Sequence, residues 1–394
     1  MKSIKEYSGS NKRVLVRVDF NVPLDKNYQV TDDTRLKGAL PTIQHLIKSN
    51  NTVILMSHLG RPKGGYEERY SLKHLVEPLS KLLGKEVYFA DDCISENTLE
   101  KVMNLEPGQV LLIENLRFYP EEEKGDIEFA KKLARLGQVY VNDAFGTAHR
   151  AHASVYQIAN FFEEKYAGFL MFSEIENANR VLRHAQKPFV AVLGGAKVSD
   201  KILIIERLME VVDTILIGGG MAYTFFKALG FEIGNSLCEQ DKLEYSLELL
   251  KKAESKGVKI LLPYDSVVAD KFANDAHITY ANSKSIPKGY MGLDIGEIAI
   301  HQFGEEIKRA KTILWNGPMG VFEMPNFAKG TFAVAKLIAE ATEKGAFSLI
   351  GGGDSAAAIT QSGYADKVSY ISTGGGALLE YIEGKTLPGV AALG

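Results

Sequence analysis

The chain has 394 residues, 45% of them hydrophobic and 24% charged, with a formal net charge of −3. That length exceeds one ordinary core and favours two domains, while the near balance of charge argues against a nucleic-acid protein held by bulk electrostatics. No run of about 18 uncharged apolar residues offers a membrane span.

The N-terminal stretch MKSIKEYSGSNKRVLV lacks the apolar segment of a signal peptide. Cys93 and Cys238 lie far apart and imply a reducing compartment without a disulfide framework, so the expected location is the cytoplasm. Short β-branched runs alternate with longer amphipathic segments along the whole length. Strands are predicted at Val14–Val18, Thr52–Met56, Val87–Phe89, Val110–Ile113 and Val139–Asn142, with helices at Asp33–Lys48, Ser71–Leu83 and Ile127–Leu136. Gly168 opens a long helical stretch through Leu182, closed before Pro188, and this reads as a semi-rigid hinge between domains. Further strands follow at Phe189–Leu193, Thr214–Ile217, Lys259–Leu262, Thr312–Trp315, Phe347–Ile350 and Val368–Ile371, with helices at Asp200–Val211 and Asn326–Ala341. The alternation predicts an α/β fold with parallel sheets covered by helices on both faces. In such sheets ligands bind outside the carboxyl ends of the strands.

Two kinds of phosphate-holding chemistry occupy those strand ends. In the first half they are single cationic side chains: Arg17, Arg35, His58, Arg61, Arg117, His149 and Arg150. Guanidinium forks grip small phosphates and carboxylates at two points. Arg17 reads equally well as a buried ion-pair partner of Asp19 or another carboxylate. A lone His58 would more often be structural. Arg35 opens a helix, where its charge slightly disfavours the helix and so asks for a reason.

In the second half the same places carry glycines: Gly194-Gly195, Gly218–Gly220, Gly351–Gly353 and Gly374–Gly376. Bare amides at helix starts suit a polyphosphate lying against the main chain. Lys197 and Lys201, four apart, are expected on one face of the helix that follows Gly194-Gly195. Asp354 reads either as a ligand for Mg²⁺ or as a helix N-cap. Pro318 could pack on an adenine and Glu323 could accept from ribose hydroxyls, although turn formation accounts for both. Neither a G-x-x-x-x-G-K-[ST] nor a G-x-G-x-x-G after the first strand is present, which disfavours a Walker-type loop and a dinucleotide enzyme.

Read together, these motifs resemble the phosphoglycerate kinase family over essentially the whole length. The resemblance is carried by RVDFNVP (Arg17–Pro23), DDTR (Asp32–Arg35), SHLGRP (Ser57–Pro62), ENLRF (Glu114–Phe118) and VNDAFGTAHRAHAS (Val141–Ser154). GGAKVSDK (Gly194–Lys201), WNGPMGVFE (Trp315–Glu323), GGGDS (Gly351–Ser355) and STGGGA (Ser372–Ala377) complete it. It implies two Rossmann-like domains facing a cleft, residues 1–168 and 188–377, joined by a hinge helix at 169–187, with 378–394 returning to the first. It implies a 3-phosphoglycerate site of Asp19, Phe20, Asn21, Arg35, His58, Leu59, Gly60, Arg61, Arg117 and Arg150. It implies a nucleotide site of Gly195, Lys197, Lys201, Gly218, Gly219, Gly292, Asn316, Pro318, Glu323, Gly351, Gly352, Gly353, Asp354 and Ser355. Mg²⁺ would accompany ATP or ADP on Asp354, and the chain would act as a monomer.

By the same resemblance, Arg35, Lys197 and the amides of Gly352 and Gly353 would carry the transfer of phosphoryl from ATP to the acid's carboxylate. The chain departs from the family pattern at Tyr370, where a histidine is common, at Leu378 in place of serine, and at Gln157 in place of glycine. Two other readings stand beside this one. A different ATP-dependent carboxylate kinase would not need the arginine cluster, and a nucleotide-binding scaffold without turnover would be expected to have lost Arg35, Lys197 or Asp354.

Overall fold

A computed structural model describes residues 1–394 and divides them into two compact units, Met1–Ile175 with Thr386–Gly394, and Glu176–Lys385. The return of the chain to the first unit thus begins at Thr386. The short Gly376–Ile382 helix belongs to the second unit.

Unit 1 is built on six parallel strands: β1 (Arg13–Arg17), β2 (Thr52–Met56), β3 (Val87–Ala90), β4 (Val110–Ile113), β5 (Val139–Asn142) and β6 (Lys165–Ala167), in the order β3-β4-β2-β1-β5-β6. β2, β4 and β5 are buried at every position, as expected for strands covered on both faces. Register aligns Arg17 with Met56 on one side and with Asn142 on the other. The loops leaving β1, β2 and β5 therefore emerge side by side. Val14, Val16, Leu36, Ile43, Val53, Leu55, Leu112 and Val141 form the apolar layer beneath them. A helix at Phe169–Leu182 carries the chain onward into unit 2 and ends short of the sequence-based limit at 187.

Unit 2 has a second six-stranded parallel sheet: β7 (Phe189–Leu193), β8 (Thr214–Ile217), β9 (Lys259–Leu261), β13 (Thr312–Asn316), β14 (Phe347–Ile350) and β15 (Tyr370–Ile371), in the order β15-β14-β13-β7-β8-β9. Asn316 pairs with Leu193, Trp315 with Ile350, and Leu193 with Ile217. Four glycine-bearing loops consequently start along one edge. Trp315 is fully buried among Val192, Phe303, Val334 and Ile350.

The sequence did not announce the third sheet. β10 (Asp265–Ala269), β11 (Ile278–Asn282) and β12 (Met291–Ile295) form an antiparallel trio in the order β11-β10-β12. β11 is exposed or half-buried throughout, so it lacks the apolar run that marks a buried strand. No helix of the structure is long and apolar enough to cross a membrane.

Candidate functional site

In unit 1 the strand-end residues form one connected hydrogen-bond system. Arg35 enters from the first turn of the Thr34–Lys48 helix, and its Nη1 donates to Asp19 Oδ1 at 3.1 Å and to the Asn21 carbonyl at 3.0 Å. Both bonds use a single nitrogen, and the fork offers further N–H donors. Asn21 Oδ1 accepts from the Gly60 amide at 2.8 Å, and Arg117 Nη1 donates to the Gly60 carbonyl at 3.1 Å. Gly60 is thereby held from both ends at φ +63°, with the Tyr70 ring 2.2 Å from where a Cβ would stand. Only glycine fits that position. Asn115 ties the loop after β2 to the loop after β4 through the Leu59 amide and carbonyl. The Phe20 amide donates to Ser57 Oγ at 2.8 Å, fixing the loop after β1 against its neighbour.

Arg17 takes the alternative that its sequence left open. It is wholly buried, and its charge is matched by the buried Glu122 at 3.7 Å. Its Nε donates to Ser154 Oγ at 2.8 Å, and Ser154 Oγ donates in turn to Glu122. The partner is neither Asp19 nor a ligand but a carboxylate from the Pro120–Glu123 helix. Arg17 therefore leaves the set of phosphate-holding candidates and becomes the support beneath them.

One consequence reaches His58. Arg17 Nη2 lies 3.2 Å from His58 Nδ1. A guanidinium only donates, so Nδ1 accepts and the ring proton sits on Nε2. Burial, followed by Arg17, Arg117, Arg35 and His152, pushes the His58 imidazole well below its usual range. His58 is a neutral donor at physiological pH. His152, which the sequence reading passed over, sits in the same field; burial and then Arg117, Arg17, Arg150 and His149 bring it down to about 3. Burial does most to keep both histidines uncharged, and the arginines around them act in the same direction. Arg61 and Arg150 are exposed, with their guanidinium groups open to solvent.

In unit 2 the loops after β7, β8, β13 and β14 approach closely enough that side chains would not fit between them. A Cβ on Gly194 would lie 2.0 Å from the Pro318 carbonyl, and one on Gly219 would lie 2.6 Å from the Gly195 amide nitrogen. Gly195 (φ +115°), Gly219 (φ +73°), Gly317 (φ +101°) and Gly352 (φ +96°) all lie in the left-handed region. Asn316 Nδ2 donates to the Gly351 carbonyl at 2.7 Å, and the Gly317 amide donates to Ser355 Oγ at 2.7 Å. Lys201 Nζ donates to Asn316 Oδ1. Burial lowers the Lys201 ammonium from its ordinary value, against the opposing pull of Asp200, Asp354 and Glu383.

Lys197 and Lys201 do not share a helix face. A 3₁₀ turn occupies Val198–Asp200 and the helix begins only at Ile202. Lys197 lies before the turn in extended backbone and is exposed. Asp354 is not an N-cap either. Gly352 holds that position and Asp354 sits in the first turn of the Gly353–Gln361 helix, with its carboxylate exposed.

Beside these loops lies a cavity of about 720 Å³, bordered by Gly195, Gly219, Gly292, Pro318, Glu323 and Asp354. Its remaining wall includes Tyr223, Asn235, Leu237, Phe272, Met291 and Asp294. Three of that second group, Phe272, Met291 and Asp294, come from the antiparallel sheet and its first hairpin, an element the sequence did not single out. The size suits a nucleoside, with an apolar wall for a base and glycine amides for phosphates.

Comparison with known proteins agrees with this geometry. A family model described as phosphoglycerate kinase matches residues 4–385. The cytosolic phosphoglycerate kinase of Nicotiana tabacum is 55% identical over 391 residues, covering 99% of this chain and 97% of that protein. The phosphoglycerate kinase of Chlorobaculum tepidum is 53% identical over 392 residues, covering 100% and 99%. The solved structure of phosphoglycerate kinase from Coxiella burnetii superposes with a TM-score of 0.91 at 42% identity, over 99% of this chain and 98% of that one.

Proposed function

The chain belongs to the phosphoglycerate kinase family, and on that premise we propose how its two sites share the reaction. The enzyme catalyses reversible phosphoryl transfer between ATP and the carboxylate of 3-phospho-D-glycerate, giving ADP and 1,3-bisphosphoglycerate, in glycolysis. The observation that carries our assignment is the contrast between the two sheets. One presents arginines and neutral histidines at its strand ends, and the other presents glycine amides beside a nucleoside-sized cavity.

Unit 1 holds the acid. Arg61, Arg117, Arg150 and the Nε2–H of His58 anchor its remote phosphate, whose binding energy orients the carboxylate. Asp19, Phe20, Asn21, Leu59 and Gly60 shape the floor on which the glycerate lies. Unit 2 holds the nucleotide. Gly195, Gly218, Gly219, Gly292, Asn316, Pro318 and Glu323 take the nucleoside and inner phosphates, and Lys201 pairs with the phosphates. Gly351 to Ser355 cradle the outer ones.

The acceptor carboxylate is already ionised at neutral pH, so no general base is required. One carboxylate oxygen forms the new P–O bond while the bond to the bridging oxygen of ADP breaks. The work left to the protein is alignment and charge stabilisation of a loose in-line transition state. Arg35 does this from the acid side. Its Nη1 is anchored on Asp19 and Asn21, which presets the fork. Lys197 and the amides of Gly352 and Gly353 do it from the nucleotide side. Bringing donor and acceptor into line requires closure of the enzyme around both.

Asp354 fits a Mg²⁺ that arrives with the nucleotide, because this ion takes one or two carboxylates and completes its shell with phosphate oxygens and water. When bound it neutralises phosphate charge. Cytoplasmic location and a monomeric state complete the proposal. The direct test is a coupled assay for ADP formation. Turnover with 3-phosphoglycerate and its near-loss with glycerate is the expected result, and equal rates with the two acids would remove the role given to the arginines.

A further inference from the structure

The wall of the nucleotide cavity contains a carboxylate that the reaction above does not use. Asp294, on β12, is 2% exposed and yet borders the cavity. Its Oδ1 accepts from the Ile295 amide at 2.9 Å and its Oδ2 from the Gly330 amide at 2.8 Å, at the start of the Lys329–Glu343 helix. Lys329, the cation that acts on it, is itself paired with Glu297. Three segments close around this carboxylate. A Cβ on Gly320 would stand 2.5 Å from Oδ1, and a Cβ on Gly330 would stand 2.3 Å from it, so two glycines make room for one oxygen. The Val321 amide donates to the Leu293 carbonyl at 2.9 Å, joining the 317–323 loop to β12. The Met319 amide donates to Thr331 Oγ1 at 3.1 Å, joining the same loop to the same helix.

We propose that Asp294 is a positioning residue of the nucleotide site, which sets the 317–323 loop at the height that places Pro318 and Glu323 against the nucleoside. The proposal rests on the assignment of this cavity to ADP and ATP. A buried carboxyl group held by two amides, with glycines on both sides of it, tolerates little change of shape.

The alternative is that Asp294 merely caps a helix. The fold supplies its own control. On β10, Asp265 accepts from the Ala299 amide at 2.7 Å and the Ile298 amide at 3.3 Å at the start of the Glu297–Arg309 helix. A Cβ on Gly296 would stand 2.2 Å from Asp265 Oδ2. Asp265 repeats the capping device without bordering the cavity.

The experiment compares Asp294→Asn, Asp265→Asn and Gly320→Ala in the full-length enzyme. Calorimetric binding of ADP, KM for each substrate and melting temperature are measured for each. Asp294→Asn should weaken ADP binding about tenfold, the equivalent of one buried hydrogen bond, and leave the KM for 3-phosphoglycerate unchanged. Asp265→Asn should lower the melting temperature and leave ADP binding unchanged. Gly320→Ala pushes the loop off the carboxylate from the other side, should reproduce the ADP defect, and decides the matter if Asp294→Asn does not fold. Equal effects of the two aspartate variants on ADP binding would overturn the proposal. So would ADP binding within about twofold of wild type in Asp294→Asn or, where that variant does not fold, in Gly320→Ala. Failure of the wild-type enzyme to bind ADP would instead remove the nucleotide assignment beneath it.

Discussion

Asp143 sits at the carboxyl end of β5 and is 1% exposed. Its Oδ1 accepts from the Met171 amide at 3.1 Å, in the first turn of the Phe169–Leu182 helix. A Cβ on Gly168 would stand 2.1 Å from the same oxygen, so the carboxyl group is sealed under the start of that helix. Burial raises it to about 7, against the lowering effect of hydrogen bonds from Met171, Thr42 and Leu170. In an unfolded chain the group titrates near 3.9. Between those values the folded protein binds a proton that the unfolded chain does not, so this residue's stabilising contribution is fully present at low pH and is lost as pH rises towards 7. Integrating from pH 5 to pH 8 gives a loss of about 3 kcal/mol. Asp143→Asn mimics the protonated form at every pH and should lack this dependence. Amide hydrogen exchange of Val14–Arg17, corrected for the intrinsic pH dependence of exchange, reports the stability of this unit directly. The stability difference, wild type minus variant, should fall by about 3 kcal/mol between pH 5 and pH 8. A difference that is flat across that range, or that runs the other way, would refute the argument that burial dominates over the helix-end amides.

Arg35→Ala should lower kcat about a thousandfold, while the KM for 3-phosphoglycerate moves far less, because a charge clamp acts mainly in the transition state; a near-normal kcat would contradict the role given to it. Glu122→Ala leaves the Arg17 guanidinium buried and unpaired, and should cost about 3 to 5 kcal/mol in urea denaturation, more than any exposed ion pair of the molecule. Gly352→Ala places a Cβ 2.6 Å from Asn316 Nδ2 at φ +96°. It should reduce kcat/KM for ATP at least tenfold, equivalent to about 1.4 kcal/mol, with the melting temperature as the check that the fold survives.

Much of this site was legible because its signals are local. Gly351–Gly353 after an apolar run, or Ser57–Pro62 after Thr52–Met56, announce a strand end and a phosphate-sized turn within a few residues of each other. Asp354 shows the limit of such reasoning. Capping and metal binding use the same residue type in the same first turn, and only the backbone position of Gly352 separates them. Lys197 and Lys201 show another limit, since a four-residue spacing means one face only if a helix is already formed, and a 3₁₀ turn intervenes. The antiparallel sheet went unread because Ile278–Asn282 alternates without a buried face and Asp265 interrupts the apolar pattern at the start of β10.

By itself the sequence determined the α/β class, the positions of most of the strands and the residues at their carboxyl ends, since periodicity and turn chemistry are properties of neighbouring residues. Strand order was decided only in three dimensions, and with it which loops meet: β1 lies between β2 and β5, and β13 lies between β14 and β7. The same holds for Arg17, whose residue type permitted either a ligand or a buried ion pair. Glu122 and Ser154, distant in the chain and adjacent in the fold, settled the choice, because a buried guanidinium is stable only where a carboxylate and an acceptor are packed against it.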